Sequence, residues 1–233
     1  MSDRRLDGAV VAVVGAGGGL GRPISALLAA RGATVVSAGP HRLSLERTAP
    51  TPDGLLVELD VRDPRSGDAL VDAVSARYGR LDGVVNAAGV VAFGNLADTP
   101  DDIIEELFLT NALGPMWLAK RVTPLLAESS GFLLMISAVL AEQPLAGMAA
   151  YGASKAALSS TGRALTRELR RQGITVIDAR PPHTETGLAS RALSGPPPRL
   201  PTGLQPELVA ERLVRAIEAG ESEVSSGQFA PAG

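Results

Sequence analysis

The sequence predicts an α/β fold: a doubly wound parallel sheet of about seven strands, with helices on both faces, in a single domain spanning residues 1–233. Two observations carry this. Apolar runs of strand length alternate with segments of helical periodicity along most of the chain. A glycine cluster, residues 15–21, follows the first run, where a strand hands over to a helix. At 233 residues and 45% hydrophobic content, the chain has material for one sizeable core and no sign of global disorder. Aromatics make up only 3%, so Val, Leu, Ile and Ala must fill it.

Residues 9–14 (AVVAVV) form a continuous β-rich run, the pattern of a strand buried on both faces. Residues 20–31 follow with helical spacing. Further strands are expected at 33–38, 55–59, 83–86, 132–137 and 174–179. Residues 69–78 have helical periodicity, and long helices are expected over 101–127, 149–171 and 207–219. No internal repeat and no dividing linker is visible. Residues 181–206 break the rhythm with a Pro- and Gly-dense stretch, and 183–205 reads as a substrate loop or lid, since long irregular loops in compact domains are often functional.

Composition excludes several functions. The net charge of −3 gives no electrostatic reason to expect nucleic acid or an anionic membrane as partner. Zero cysteines removes disulfides, thiolate metal sites and cysteine nucleophiles. Only His41 and His183 offer imidazoles, so no metal site is expected. The charge-free residues 83–97 hold two Asn and several Gly, short of a membrane span of roughly 18 apolar residues. Arg4 and Arg5 ahead of the run 9–14 imitate a secretion signal, but Asp3 and Asp7 spoil the charge pattern and the run ends in glycines. A buried strand and a cytoplasmic chain are the better reading.

Three features carry chemistry. Glycines in residues 15–21 permit positive φ and let backbone N–H groups approach a pyrophosphate at a helix N-terminus. The chain has two tyrosines and two lysines, and Tyr151 and Lys155 fall at i, i+4, where about 0.02 such pairs are expected by chance. On a helix that spacing puts both side chains on one face, where an ammonium lowers a phenol's pKa towards working pH and suits it to acid/base work on alcohols and ketones. Ser137 ends the fifth predicted strand, where a hydroxyl reaches a carbonyl oxygen in the crevice.

Together these residues resemble the short-chain dehydrogenase/reductase family, in its Y-x-x-x-K subgroup, over nearly the whole chain. The resemblance rests on Gly15, Gly19, Leu20 and Gly21, on Asp60 and Val61, and on Asn86, Ala87, Ala88 and Gly89. It continues through Asn111, Ser137, Tyr151, Lys155, and Pro181 to Thr186. It implies a Rossmann-type fold and hydride transfer between a nicotinamide cofactor and a ketone or secondary alcohol. In that scheme Tyr151 exchanges a proton with the substrate oxygen and Ser137 polarises that oxygen. Lys155 lowers the Tyr151 pKa and bonds the nicotinamide ribose, and Asn111 supports a water that links Lys155 to solvent. Gly15, Gly17, Gly18, Gly19, Leu20 and Gly21 would cradle the pyrophosphate, and Asp60 and Val61 would contact adenine. Asn86 to Gly89 would line the cofactor, with Pro181, Thr184 and Thr186 at its nicotinamide end.

Val14 stands where the family often has Thr, Pro182 replaces a usual Gly, and the chain stops soon after Phe229 without the family's common glycine-rich end. Gly39 occupies the position of the acid that selects NAD, while His41, Arg42 and Arg22 offer positive charge; NADP(H) is therefore expected over NAD(H), although Gly17 and Gly18 supply no basic residue. The alternative is a non-catalytic NAD(P)-binding regulator or scaffold with the same fold. Homodimers or homotetramers through the helices at 101–127 and 149–171 are also implied.

Overall fold

A computed structural model describes residues 4–51, 53–199 and 201–229. Seven strands, β1 (Val10–Val14), β2 (Thr34–Gly39), β3 (Leu56–Glu58), β4 (Gly83–Asn86), β5 (Phe132–Ile136), β6 (Thr175–Ala179) and β7 (Glu223–Val224), form one sheet in the order β3-β2-β1-β4-β5-β6-β7. Every pairing is parallel. The helices are α1 (Gly21–Ala30), α2 (Arg42–Thr48), α3 (Ser66–Tyr78), α4 (Asp101–Phe108), α5 (Gly114–Glu128), α6 (Ala149–Leu169) and α7 (Pro206–Ala219).

The strands read as unbroken apolar runs because both faces of the sheet are covered. Val11, Val13, Val85, Leu134 and Ile177 pack against α1 and α7 through Ile24, Leu28, Leu213 and Ile217. Alternate residues Ala12, Val14, Val84, Leu133 and Met135 meet Leu70, Val74, Leu118, Val122 and Leu158 from α3, α5 and α6. Strand order reverses between β1 and β4, so the carboxyl ends of those two strands open the crevice where doubly wound folds take ligands.

Three elements depart from the sequence reading. The single helix expected over 101–127 is interrupted by a π turn, Leu109–Leu113. Pro115 has no N–H to give the Asn111 carbonyl that an α-helix would pair with it, which favours the wider turn. Helix α2 was not expected; seven mostly exposed residues bury only Leu45 and leave little periodicity to read. Strand β7 has two residues, too few for a pattern.

The described residues of the stretch 183–205 are irregular apart from a short 3-10 turn, Ala189–Arg191. Its ends are tied together by the Thr184–Leu204 bridge, by Glu185 N–H donating to Leu204 O and by Leu204 N–H donating to His183 O. That closure makes it a compact loop whose ends meet, not a slack connection.

Candidate active site

The glycine loop leaves β1 through Gly15, whose φ of +83° suits glycine; a Cβ there would stand 2.8 Å from Ala88 N. A Cβ on Gly21 would run into the Gly15 carbonyl, and one on Gly19 would stand 2.5 Å from Thr186 O. Gly18 N–H donates to Gly15 O, which fixes the turn, and Leu20 caps α1. Among the described residues, the N–H groups of Gly17, Gly19 and Leu20 donate to no protein acceptor. Beside this loop, at the end of β4, Asn86 is 1% exposed and neither its amide oxygen nor its amide nitrogen has a partner. Free N–H groups at a helix start and an orphaned buried amide fit a phosphate-bearing ligand.

The structure places the other expected cofactor residues around that crevice. Ala87 N–H donates to Val14 O, and a Cβ on Gly89 would stand 3.2 Å from both Asn111 Oδ1 and Lys155 Nζ, so glycine permits that convergence. Asp60 and Val61 follow β3, with Val61 buried. The Asp60 carboxylate accepts from Arg62 Nε at 3.0 Å, and the Arg62 side-chain bonds hold its pKa below the ordinary value. Arg62 also reaches Glu106 at 3.1 Å. Arg42 is exposed and paired with Glu46 at 3.1 Å, so its charge is partly committed. A contact absent from the sequence reading is Ser44 of α2, whose Oγ lies 2.5 Å from where a Gly17 Cβ would be. Finding α2 in the sequence would have been needed to see it.

Tyr151 and Lys155 share one face of α6 and are both buried, at 7% and 4% exposure. Lys155 Nζ donates to Ile136 O at 3.0 Å, at the end of β5. Asn111 accepts from Val90 N–H and donates to Val90 O, both at 2.9 Å, and donates to Ser154 Oγ at 3.0 Å. The π turn, the segment after β4 and α6 are thereby fastened together behind the Tyr–Lys pair.

Two expectations are corrected. The Tyr151 phenol is not lowered; burial pushes it up to about 12, and burial pushes Lys155 down to about 8. Both charged forms lose hydration in the same apolar surroundings, and Lys155 turns to a carbonyl. Ser137 does not face Tyr151. Its hydroxyl lies 3.0 Å from both Asp178 Oδ1 and Ala179 O, so its single proton is committed to β6. Ala138, the next residue, shares a buried cluster with Tyr151, Val91, Phe93, Leu140 and Met148. Strand alternation explains this: Ser137 follows Leu133 and Met135 onto the α5/α6 side, and Ala138 faces the crevice.

Ser137 belongs instead to a buried polar network that the sequence reading missed. Asp178, with no exposure, also accepts from Ser159 Oγ at 2.6 Å and pairs with Arg180. Arg180 further pairs with Glu142 in the segment after β5 and with Glu223 in β7. The signal was available: an aspartate inside an otherwise apolar strand requires a partner, and Arg180 stands two residues on.

Residues 188–194 pack on the cluster that holds Tyr151. Leu188, Ala189 and Ala192 make the apolar contacts, Leu193 N–H donates to Val91 O, and Phe93 N–H donates to Ser194 O, both at 2.8 Å. At the start of this loop Thr184 Oγ donates to Pro182 O, while Thr186 Oγ accepts from Leu188 N–H and keeps its own proton to give. Pro181 O accepts from Val139 N–H.

The geometry is thus a glycine cradle at the strand-order reversal and a buried Tyr–Lys pair on α6. The model of the short chain dehydrogenase family matches residues 9–196. The chain belongs to that family. It is similar to 3-oxoacyl-[acyl-carrier-protein] reductase FabG of Salmonella typhimurium, 31% identical over 81% of this chain and 78% of that protein. An uncharacterized oxidoreductase of Staphylococcus aureus is 30% identical over 89% of this chain and 90% of its own length. Among solved structures, a short-chain dehydrogenase from Streptomyces avermitilis has 27% identity and a TM-score of 0.85, covering 96% of this chain and 90% of that one. The fold is also that of a 3-ketoacyl-(acyl-carrier-protein) reductase from Brucella melitensis complexed with NADH, at TM-score 0.86 and 24% identity over 97% of this chain and all of that one. This family member is an enzyme, an oxidoreductase that uses a nicotinamide cofactor. Among the described residues, no helix is long and apolar enough to cross a membrane.

Proposed function

We propose that the chain reduces a ketone to a secondary alcohol, or runs the reverse, with Tyr151 as the general acid/base. The observation that carries this is the buried Tyr151–Lys155 pair on α6, beside the glycine cradle and beneath the lid. The glycine loop, Asn86 and the segment to Gly89 would hold the cofactor, which would supply the hydride for the substrate carbon. Tyr151 gives its proton to the substrate oxygen, and Lys155, against Gly89 and Asn111, restores that proton. A phenol held up at about 12 is protonated at neutral pH and so has a proton to give to a carbonyl oxygen. With Ser137 committed to Asp178, Tyr151 alone serves the substrate oxygen.

Tyr151 sits in an apolar cluster with Val90, Val91, Phe93, Ala138, Leu140 and Leu188, which supports an uncharged, aliphatic substrate. NADP(H) is our preferred cofactor: β2 ends in Gly39 with no carboxylate, and His41 and Arg42 follow. We place the protein in the cytoplasm, as a homodimer or homotetramer through α4, α5 and α6.

Tyr151→Phe tests the catalytic reading. We expect turnover of a ketone panel, followed by NADPH absorbance, to fall at least about 1000-fold while NADPH binding persists. Unchanged turnover would remove Tyr151 from the chemistry. A wild-type protein that binds NADPH but turns over neither ketones nor alcohols would favour the binding-protein reading.

A further inference from the structure

A diphosphate brings two negative charges, yet residues 15–21 contain no cation. The helix start and the free N–H groups of Gly17, Gly19 and Leu20 supply only partial positive charge. Arg22 follows the loop but, among the described residues, makes no bond that fixes its guanidinium, whereas a cation with a defined position comes from the lid. Arg191 folds back on its own turn, with Nε donating to Gly187 O at 3.0 Å and Nη2 to Thr186 O at 3.4 Å. The same Thr186 carbonyl abuts Gly19, 2.5 Å from the position a Cβ would take there. The guanidinium is thus anchored on the lid residues that touch the glycine loop. Most arginines here with fixed positions, such as Arg31, Arg62, Arg80, Arg180 and Arg212, are paired with carboxylates. Arg191 is bound only to carbonyls, keeps three N–H donors unassigned, and is exposed.

We propose that Arg191 is a cofactor-binding residue: the lid carries it to the diphosphate, so binding of the nucleotide and closure over Tyr151 are coupled. The two backbone carbonyls orient the planar fork, and an oriented fork loses little freedom when it takes phosphate oxygens. Leu188, Ala189 and Ala192 belong to the same turn as Arg191 and pack over the tyrosine, so a lid drawn to the diphosphate also shields the phenol. The coupling is reciprocal: a lid held shut by nucleotide must be less open to protease. The proposal rests on the nicotinamide-cofactor assignment.

The test uses the full chain and three ligands: NADPH, NADH and ADP-ribose, which carries the diphosphate without nicotinamide. Calorimetric titration of wild type and Arg191→Met should show all three weakened by one common factor, about fivefold to tenfold. Arg163→Met, a charge loss on the exposed side of α6, should change each by less than about twofold. Arg191→Lys should recover part of the loss, since it keeps the charge without the fork. ADP-ribose should slow thermolysin cleavage within the lid of wild type, and not of Arg191→Met. Unchanged affinities in Arg191→Met, or a loss that spares ADP-ribose, would overturn the proposal. Failure of wild type to bind any of the three would sink the cofactor assignment itself, a result distinct from either.

Discussion

Lys155→Met should make the protein more stable at pH 7 and remove a rise of stability with pH. Burial moves the Lys155 ammonium from 10.5 down to about 8, so keeping it charged at pH 7 costs the fold about 3 kcal/mol. Methionine fills a similar volume without charge. What the variant loses is the 3.0 Å bond to Ile136 O, worth about 1–2 kcal/mol with the orphaned carbonyl included. The net expectation is a gain of about 1–2 kcal/mol at pH 7. Between about 8 and 10.5 the unfolded chain keeps a proton that native Lys155 has released. The unfolded state then binds more protons, so wild-type stability climbs with pH through that window. Tyr151, raised from 10.0 to about 12, works in the opposite direction, with stability falling only above pH 10. Urea unfolding followed by circular dichroism at pH 7, 8, 9 and 10, at fixed protein concentration, isolates the lysine. The wild-type-minus-variant difference should move by about 2 kcal/mol in favour of wild type between pH 7 and pH 10. Parallel curves would refute the reasoning, because they would mean that Lys155 is not a desolvated cation.

Three further outcomes follow from the site. Ser137→Ala should leave kcat within about threefold of wild type while lowering Tm, since it removes a bond to buried Asp178; a kcat loss above about 100-fold would return the serine to the substrate oxygen. Asp178→Ala leaves Arg180, Ser137 and Ser159 without their shared acceptor, and even with Glu142 and Glu223 still present the cost should be about 3 kcal/mol in urea unfolding. Gly15→Ala must hold φ near +83° and crowd Ala88, a penalty of about 1–2 kcal/mol that should appear as a lower Tm together with weaker NADPH binding.

Local spacing by itself determined the frame of this protein. Strands buried on both faces leave unbroken apolar runs, so β1, β2, β4, β5 and β6 were legible to within a residue or two. The glycine loop was legible because a chain turning tightly from this strand into its helix tolerates no Cβ at Gly15, Gly19 or Gly21. Tyr151 and Lys155 were legible because one helical turn places i and i+4 together whatever lies around them. Tertiary structure alone decided which way a strand-end side chain points and what a loop lies upon. Ser137 looked available until β6 presented Asp178 to it, and the phenol's acidity depended on burial that no i, i+4 spacing records. The two-residue β7 and the bonds of Asn111 to Val90 and Ser154 likewise exist only through contacts between segments far apart in the chain. Periodicity reports which face of an element is apolar; hydrogen-bond partners and desolvation are properties of the assembled neighbours.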